Sequence, residues 1–290
     1  MSSIFANSAR GSLVGVIFLA AFASSIIPQT LFAASEDGLS LTLTPPLIQV
    51  TQAPGGMWSS NLKVVNTNRF DLTVAATVQD FQPDGETGNP IFSDAPVGSP
   101  EDTHRMSGWI IIPTAPITIK AGQTAQIPFS IAVPKQADPG GHYAAILVST
   151  KQEDPTFAGS GAGVSSAISS LLFMRVPGEV IEEGSIRDFY AEDTLVQGPA
   201  ARFMLRFENK GNVHLIPSGT IEITNMWGKQ RGSITVNKTN AFGNVLPGST
   251  RKYEFDWNGE ASVFEFGRYT AIATLSFGEN GRQNVSRTTY

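Results

Sequence analysis

The 290-residue chain has no cysteine. That excludes thiolate catalysis, cysteine-based zinc sites and disulfide staples, so any core must hold by packing alone. Histidine is scarce: His104, His142 and His214 lie too far apart for a ligand spacing such as His-Glu-x-x-His. Charge is thin as well. Twenty basic residues stand against 25 acidic ones, a net of −5, and charged residues make up 16% of the chain. No basic block occurs, which removes the electrostatic footprint of a nucleic-acid-binding protein. There is no Gly-x-Ser-x-Gly elbow and no phosphate loop ending in Gly-Lys-Ser/Thr. Beyond residue 38 no window repeats its apolar residues at helical spacing. The expectation is a protein without cofactor and without enzymatic activity.

What is present begins with a leader. Arg10 precedes an apolar run from Leu13 to Ala23, Pro28 breaks the pattern, and small residues surround Ala33 and Ala34. Residues 1–34 read as a secretory signal peptide, and the run is short for a membrane span. Export to the cell surface, cell wall or medium is the expectation.

From residue 38 the text is strand, turn, strand. "QTAQIPFSIAVP" puts Ile127, Phe129, Ile131 and Val133 on one side. "ARFMLRFEN" and "RKYEFDW" alternate in the same way, as half-buried antiparallel strands do. Most of the 28 glycines and 18 prolines punctuate these runs. Even spacing of short strands predicts an all-β chain of two tandem immunoglobulin-like sandwiches, over 38–178 and 180–290. A repeat supports the division. "GHYAAILV" from Gly141 matches "GRYTAIAT" from Gly267, and Gly122 to Tyr143 and Gly248 to Tyr269 are both 21 residues. Upstream, an apolar strand ends in Asn66 in one half and Asn209 in the other. In this alignment His142 falls opposite Arg268, so His142 reads as a replaceable solvent-facing residue. Tyr143 and Tyr269 read as core rings at strand corners. Asn280-Gly281 predicts a type I′ hairpin turn near the end.

The segment from Gln82 to Arg105 gathers Asp80, Asp84, Glu86, Asp94, Glu101 and Asp102 in and beside it. It lacks the ligand pattern of a calcium loop and reads as a solvated acidic loop. His214 reads as the polar edge of a turn. Trp58 and Trp109, with Asp84 and Glu86, are the candidate partner-binding residues, although strand position favours the core for Trp109 and Trp257.

"LTLTPPLIQVTQAPGG", "LKVVN", "VQDF", "SGWIIIP" and "AGQTAQIPFSIAVPKQADPGGHYAAILV" together resemble the peptidoglycan-binding domain of WxL-interacting cell-surface proteins. The resemblance covers about 39–178, and the second half is similar to the domain that accompanies it. It implies a non-enzymatic envelope protein that binds wall polymer or surface proteins. Members of that family continue into a membrane helix and basic tail, whereas this sequence stops at Tyr290. Release, an incomplete reading frame and anchorage through the N-terminal segment all stay open.

The main expectation is therefore an exported adhesion or wall-attachment protein. An alternative is a chaperone-like assembly module that pairs an alternating, uncharged edge strand with partner subunits. A third is a carbohydrate-active enzyme with two carboxylates converging in a cleft.

Overall fold

The computed structural model describes residues 39–93, 96–150, 167–193, 195, 198–237, 243–260 and 267–290. The expected signal peptide at 1–34, Asp94 and the Gly/Ala/Ser-rich stretch 153–166 lie outside the described residues. The first sandwich is built from β1 (Leu41–Thr44), β2 (Leu47–Thr51), β3 (Met57–Asn66), β4 (Leu72–Pro83), β5 (Pro90–Phe92), β6 (Ile110–Ile111), β7 (Ile117–Ile119), β8 (Thr124–Ala132), β9 (Gly140–Thr150) and β10 (Ala167–Val176). Sheet β1-β3-β8-β6 faces sheet β2-β10-β9-β4, and β5 and β7 extend β4. The second sandwich follows with β11 (Gly184–Ala191), β12 (Ala200–Asn209), β13 (Ser218–Asn225), β14 (Gln230–Val236), β15 (Thr250–Asn258), β16 (Tyr269–Phe277) and β17 (Arg282–Thr289). Its sheets are β11-β12-β15 and β14-β13-β16-β17. Both are immunoglobulin-like antiparallel sandwiches, with one parallel pair, β2 beside β10.

The period-2 alternation does what it must in each sandwich. Leu62, Val64, Ile127 and Ile131 meet Val74, Ile146, Leu172 and Met174 in the first core. Phe203, Leu205 and Phe207 meet Ile221, Ile223, Ala271 and Leu275 in the second. Burying each of these larger side chains stabilises the fold by roughly 1.5–3 kcal/mol. The asparagines that end β3 and β12 are both fully buried. Asn66 Nδ2 donates to the carbonyls of Phe70 (2.8 Å) and Ile119 (3.0 Å). Asn209 Nδ2 donates to those of Val213 (2.7 Å) and Val245 (2.8 Å). Their main-chain N–H groups donate to Gln123 and Ser249, each just after a left-handed glycine, Gly122 or Gly248. The same carboxamide thus closes the same corner twice, satisfying loop carbonyls that would otherwise be buried unpaired. The last hairpin departs from the type I′ expectation. Its loop has four residues, Gly278 to Gly281, with positive φ at the two glycines and not at Asn280.

The tyrosine part of the repeat keeps its spacing and loses its pleat. In β16 the core side chains are Tyr269, Ala271, Ala273 and Leu275; in β9 they are Ala144, Ile146 and Val148. Tyr143 therefore points out of the first core while Tyr269 points into the second. A shift of one residue flips every side chain to the other face, and the connection before β9 is shorter than that before β16. The core position equivalent to Tyr269 is filled by His142, only 5% exposed. Its ring packs 4.5 Å from Trp109. Its Nδ1 and Nε2 lie 3.1 and 2.9 Å from the carbonyl oxygens of His104 and Asp138. The reading of His142 as replaceable is thus corrected, as is the reading of Tyr143 as a core ring. His142→Arg is expected to destabilise the protein by about 3 kcal/mol, because a buried ring and its hydrogen bond to a main-chain carbonyl are lost. Arg268→His, at an exposed site, stays within about 0.5 kcal/mol. Urea unfolding of the two variants measures the difference.

Candidate functional site

Residues Gly38–Tyr290 form one compact unit, so the outer face of sheet β2-β10-β9-β4 meets the second sandwich. Tyr143 and Phe173 pack edge to face (5.1 Å), and Phe81 lies beside both. The His214 ring sits 5.0 Å from Phe173 and 5.9 Å from Tyr143. The Tyr143 hydroxyl lies 3.5 Å from His214 Nδ1, where the phenol can donate to an unprotonated ring nitrogen. The two glycines before His142 now have distinct jobs. Gly140, at φ +129°, lets the chain pass so close to Asn212 that a β-carbon would stand 2.8 Å from its carbonyl oxygen. A β-carbon at Gly141 would collide with the Tyr143 phenol, and the Gly141 N–H donates to Asn212 O at 2.8 Å. The Asn212 side chain accepts from Ile181 N and donates to Glu179 O, which seals the connection between the sandwiches.

Two charged clusters flank this contact. Glu86, at the tip of the β4–β5 hairpin, grips Arg206 through both carboxylate oxygens, and Arg206 Nη1 also donates to Asp188. The hydrogen bond from Arg206 holds the Glu86 carboxyl below the usual carboxylate range. The main-chain carbonyl of Glu86 accepts from Lys252 N at 2.9 Å. Arg175, at the end of β10, reaches Glu182 (2.9 Å) and Glu279 (3.2 Å). Glu182 is itself buried and accepts from Glu279 N.

The four candidates from the sequence do not share one face. Trp109 is 1% exposed and donates its indole N–H to Asp102 O at 2.6 Å. Its partner-binding role is corrected, because a ring inside the core offers no surface. Trp58 is half-buried, edge-on to Phe129. Asp84 is exposed in the hairpin turn, and Glu86 is spent on Arg206. The acidic loop is a strand hairpin followed by a tied segment. Asp80 accepts from Arg105, Ser107 N and Ser107 Oγ, while Asp102 accepts from His104 N and Arg105 N. These carboxylates serve separate neighbours and do not converge as a glycosidase pair does. Among the described residues no group of three metal-ligating side chains forms. Sequence reasoning missed Arg206 and Phe173; nothing in their local text separates them from other strand residues.

A second feature is an open sheet edge. β10 pairs with β9 along its whole length, but β2 covers only Leu171–Arg175. Upstream the chain has crossed from β1 in one sheet to β2 in the other, through Pro45 and Pro46. Among the described residues no strand covers the outer edge of Ala167–Ser170. Leu171 N donates to Pro46 O on the β2 side. By strand alternation the N–H groups of Ala167 and Ser169 face the same open side. Ile168 points inward and packs, partly exposed, against the core with Leu39 and Leu41.

Burial lowers His214 from 6.5 to about 4, with the nearby Arg175 charge adding to the effect. The unfolded chain then binds a proton that the folded chain refuses between those values. Stability is full above pH 6.5 and falls as pH drops through the window, by up to ~3 kcal/mol. His214→Phe is expected to flatten the stability loss between pH 6.5 and 4 measured by denaturant unfolding; an unchanged slope would show that the ring titrates freely.

No family model matches the chain, and no curated protein matches it. Similar solved structures include the class 5 fimbrial chaperone CfaA, at 10% identity and TM-score 0.44, with 86% of this chain and 99% of that chain covered. A chaperone–tip subunit pre-assembly complex of the archaic Csu pili of Acinetobacter baumannii gives 14% identity and TM-score 0.41, covering 86% and 98%. The E. coli chaperone DraB gives 13% and 0.39, covering 87% and 96%. The expected kinship with WxL-interacting proteins is corrected by these findings, and wall-polymer binding falls with it. The residues that suggested it are corner and turn features: Asn66 does the same work as Asn209 in the second sandwich.

Proposed function

We propose that this chain is a non-enzymatic assembly chaperone, exported by its leader, that captures an extended segment of a partner protein by strand addition. The observation that carries this is the uncharged edge of Ala167–Ser170 beside β1, which no described strand covers. Several other edges are guarded. β15 carries Arg251, Lys252, Glu254 and Asp256, and β17 carries Arg282 and Arg287. β5 begins at Pro90, and the part of β8 that β6 leaves uncovered contains Pro128. Charges and prolines are the usual guards against strand addition. Around the open edge charges are missing: no charged residue lies between Asp37 and Lys63, or between Asp154 and Arg175. An added strand would satisfy the outward groups of Ala167 and Ser169 and cover the half-exposed Leu39, Leu41 and Ile168.

Ser169→Pro removes one outward N–H while leaving the β9 ladder intact, since Ser169 N faces away from β9. It is expected to weaken capture of a soluble, alternating Val/Thr peptide on the order of ten-fold, with little change in Tm. In hydrogen exchange, the Ala167 and Ser169 amides should gain protection when that peptide is added to the wild type. Absence of protection at saturating peptide would refute strand capture at this edge.

A further inference from the structure

A different feature lies at the end of the second sandwich remote from the first. The β13–β14 turn there is tightly built. Asn225 N donates to Lys229 O and Gly228 N to Asn225 O, while the buried Asn225 side chain accepts from Trp227 N (3.2 Å) and Lys229 N (3.0 Å). This ordered turn displays Met226 and Trp227, which are 56% and 57% exposed. Leu195, in the β11–β12 connection at the same end, is 93% exposed. Gly267 lies against the Met226 sulfur, so Arg268 stands beside the turn. Register places Arg287 across Ile272 on β16, three residue pairs behind the Asn225–Tyr269 pair.

We propose that this end of the second sandwich docks on an anionic lipid surface. Exposed Trp and Met on a rigid turn suit the boundary between headgroups and acyl chains, where an indole sits with its apolar ring buried and its N–H wet. The turn is already ordered, so little conformational entropy is lost on contact. The charges are complementary to anionic headgroups. Lys229 and Arg268 are exposed beside Met226 and Trp227, and the exposed Arg287 lies further back on β17. The described acidic residues on this side are the exposed Glu260, whose main-chain carbonyl accepts from Arg231, and Glu222, three residue pairs back in register with Arg287. Glu192 and Asp256 lie on the opposite sheet, where both pair with Arg202, and Asp193 shares the β11–β12 connection with Leu195. A protein pocket would not require the cations to gather on the apolar turn; a headgroup layer rewards each of them.

The test uses the chain without its leader, since Gly38–Tyr290 is compact by itself, with vesicles of phosphatidylglycerol and phosphatidylcholine in equal parts. Co-sedimentation is expected with these and not with pure phosphatidylcholine, and it should fall at high salt. Lys229→Gln and Arg268→Gln should each weaken binding about five-fold, the effect of one cation near such a surface. Brominated lipid should quench tryptophan fluorescence in the wild type but not in Trp227→Phe, which keeps the turn. Failure to sediment with anionic vesicles overturns the proposal. So does sedimentation that survives both glutamine variants, or quenching that survives Trp227→Phe, which would point to another surface.

Discussion

A strand that is paired on one side and half-paired on the other governs the rest of this molecule. Among the described residues nothing completes β10, because the chain that precedes β2 lies in the opposite sheet and crosses at Pro45 and Pro46. Main-chain donors and acceptors at that edge have water or a partner as their options. The other end of the same strand is anchored: Phe173 lies in the aromatic contact between sandwiches, and Arg175 in the Glu182–Glu279 cluster. One strand is thereby held firmly at its C-terminal half and offered at its N-terminal half.

The second sandwich serves that arrangement by backing the sheet. Its contact combines main-chain hydrogen bonds at Asn212, an aromatic cluster at Tyr143, Phe173 and His214, and a hairpin clamp from Glu86 to Arg206. These are different kinds of interaction with different weaknesses. Acid acts on the histidine, and salt on the partly exposed Glu86–Arg206 pair. The main-chain bonds respond to neither. The far end of the second sandwich takes no part in this contact, which leaves its apolar turn open to a surface of another kind.

Much of the fold was legible in the text. Strand alternation in "QTAQIPFSIA" and "RKYEFDW" places the core correctly, because a period of two is a local property of an extended chain. The paired asparagines and glycines, Asn66 with Gly122 and Asn209 with Gly248, were visible as repeated landmarks and hold equivalent corners. The histidine and tyrosine of "GGHYAAILV" were read the wrong way round. Identical spacing hid a change in connection length, and a pleat offset of one residue exchanges core for surface. The acidic segment looked like a solvated loop because Arg206, the partner of Glu86, lies 120 residues away and the ties of Asp80 to Arg105 and Ser107 span 25 and 27 residues. The resemblance to wall-binding proteins arose from corner features that a sandwich needs whatever it binds.

By itself the sequence determined an all-β chain, its two sandwiches, their alternating core positions and a pair of long stretches without charge. These follow from short-range periodicity and composition. Tertiary structure decided which face each residue of β9 shows, which arginine meets Glu86, and which edge stays open. Those outcomes depend on where the chain crosses between sheets and on how two sandwiches meet, and no local pattern encodes a neighbour that arrives from a hundred residues away.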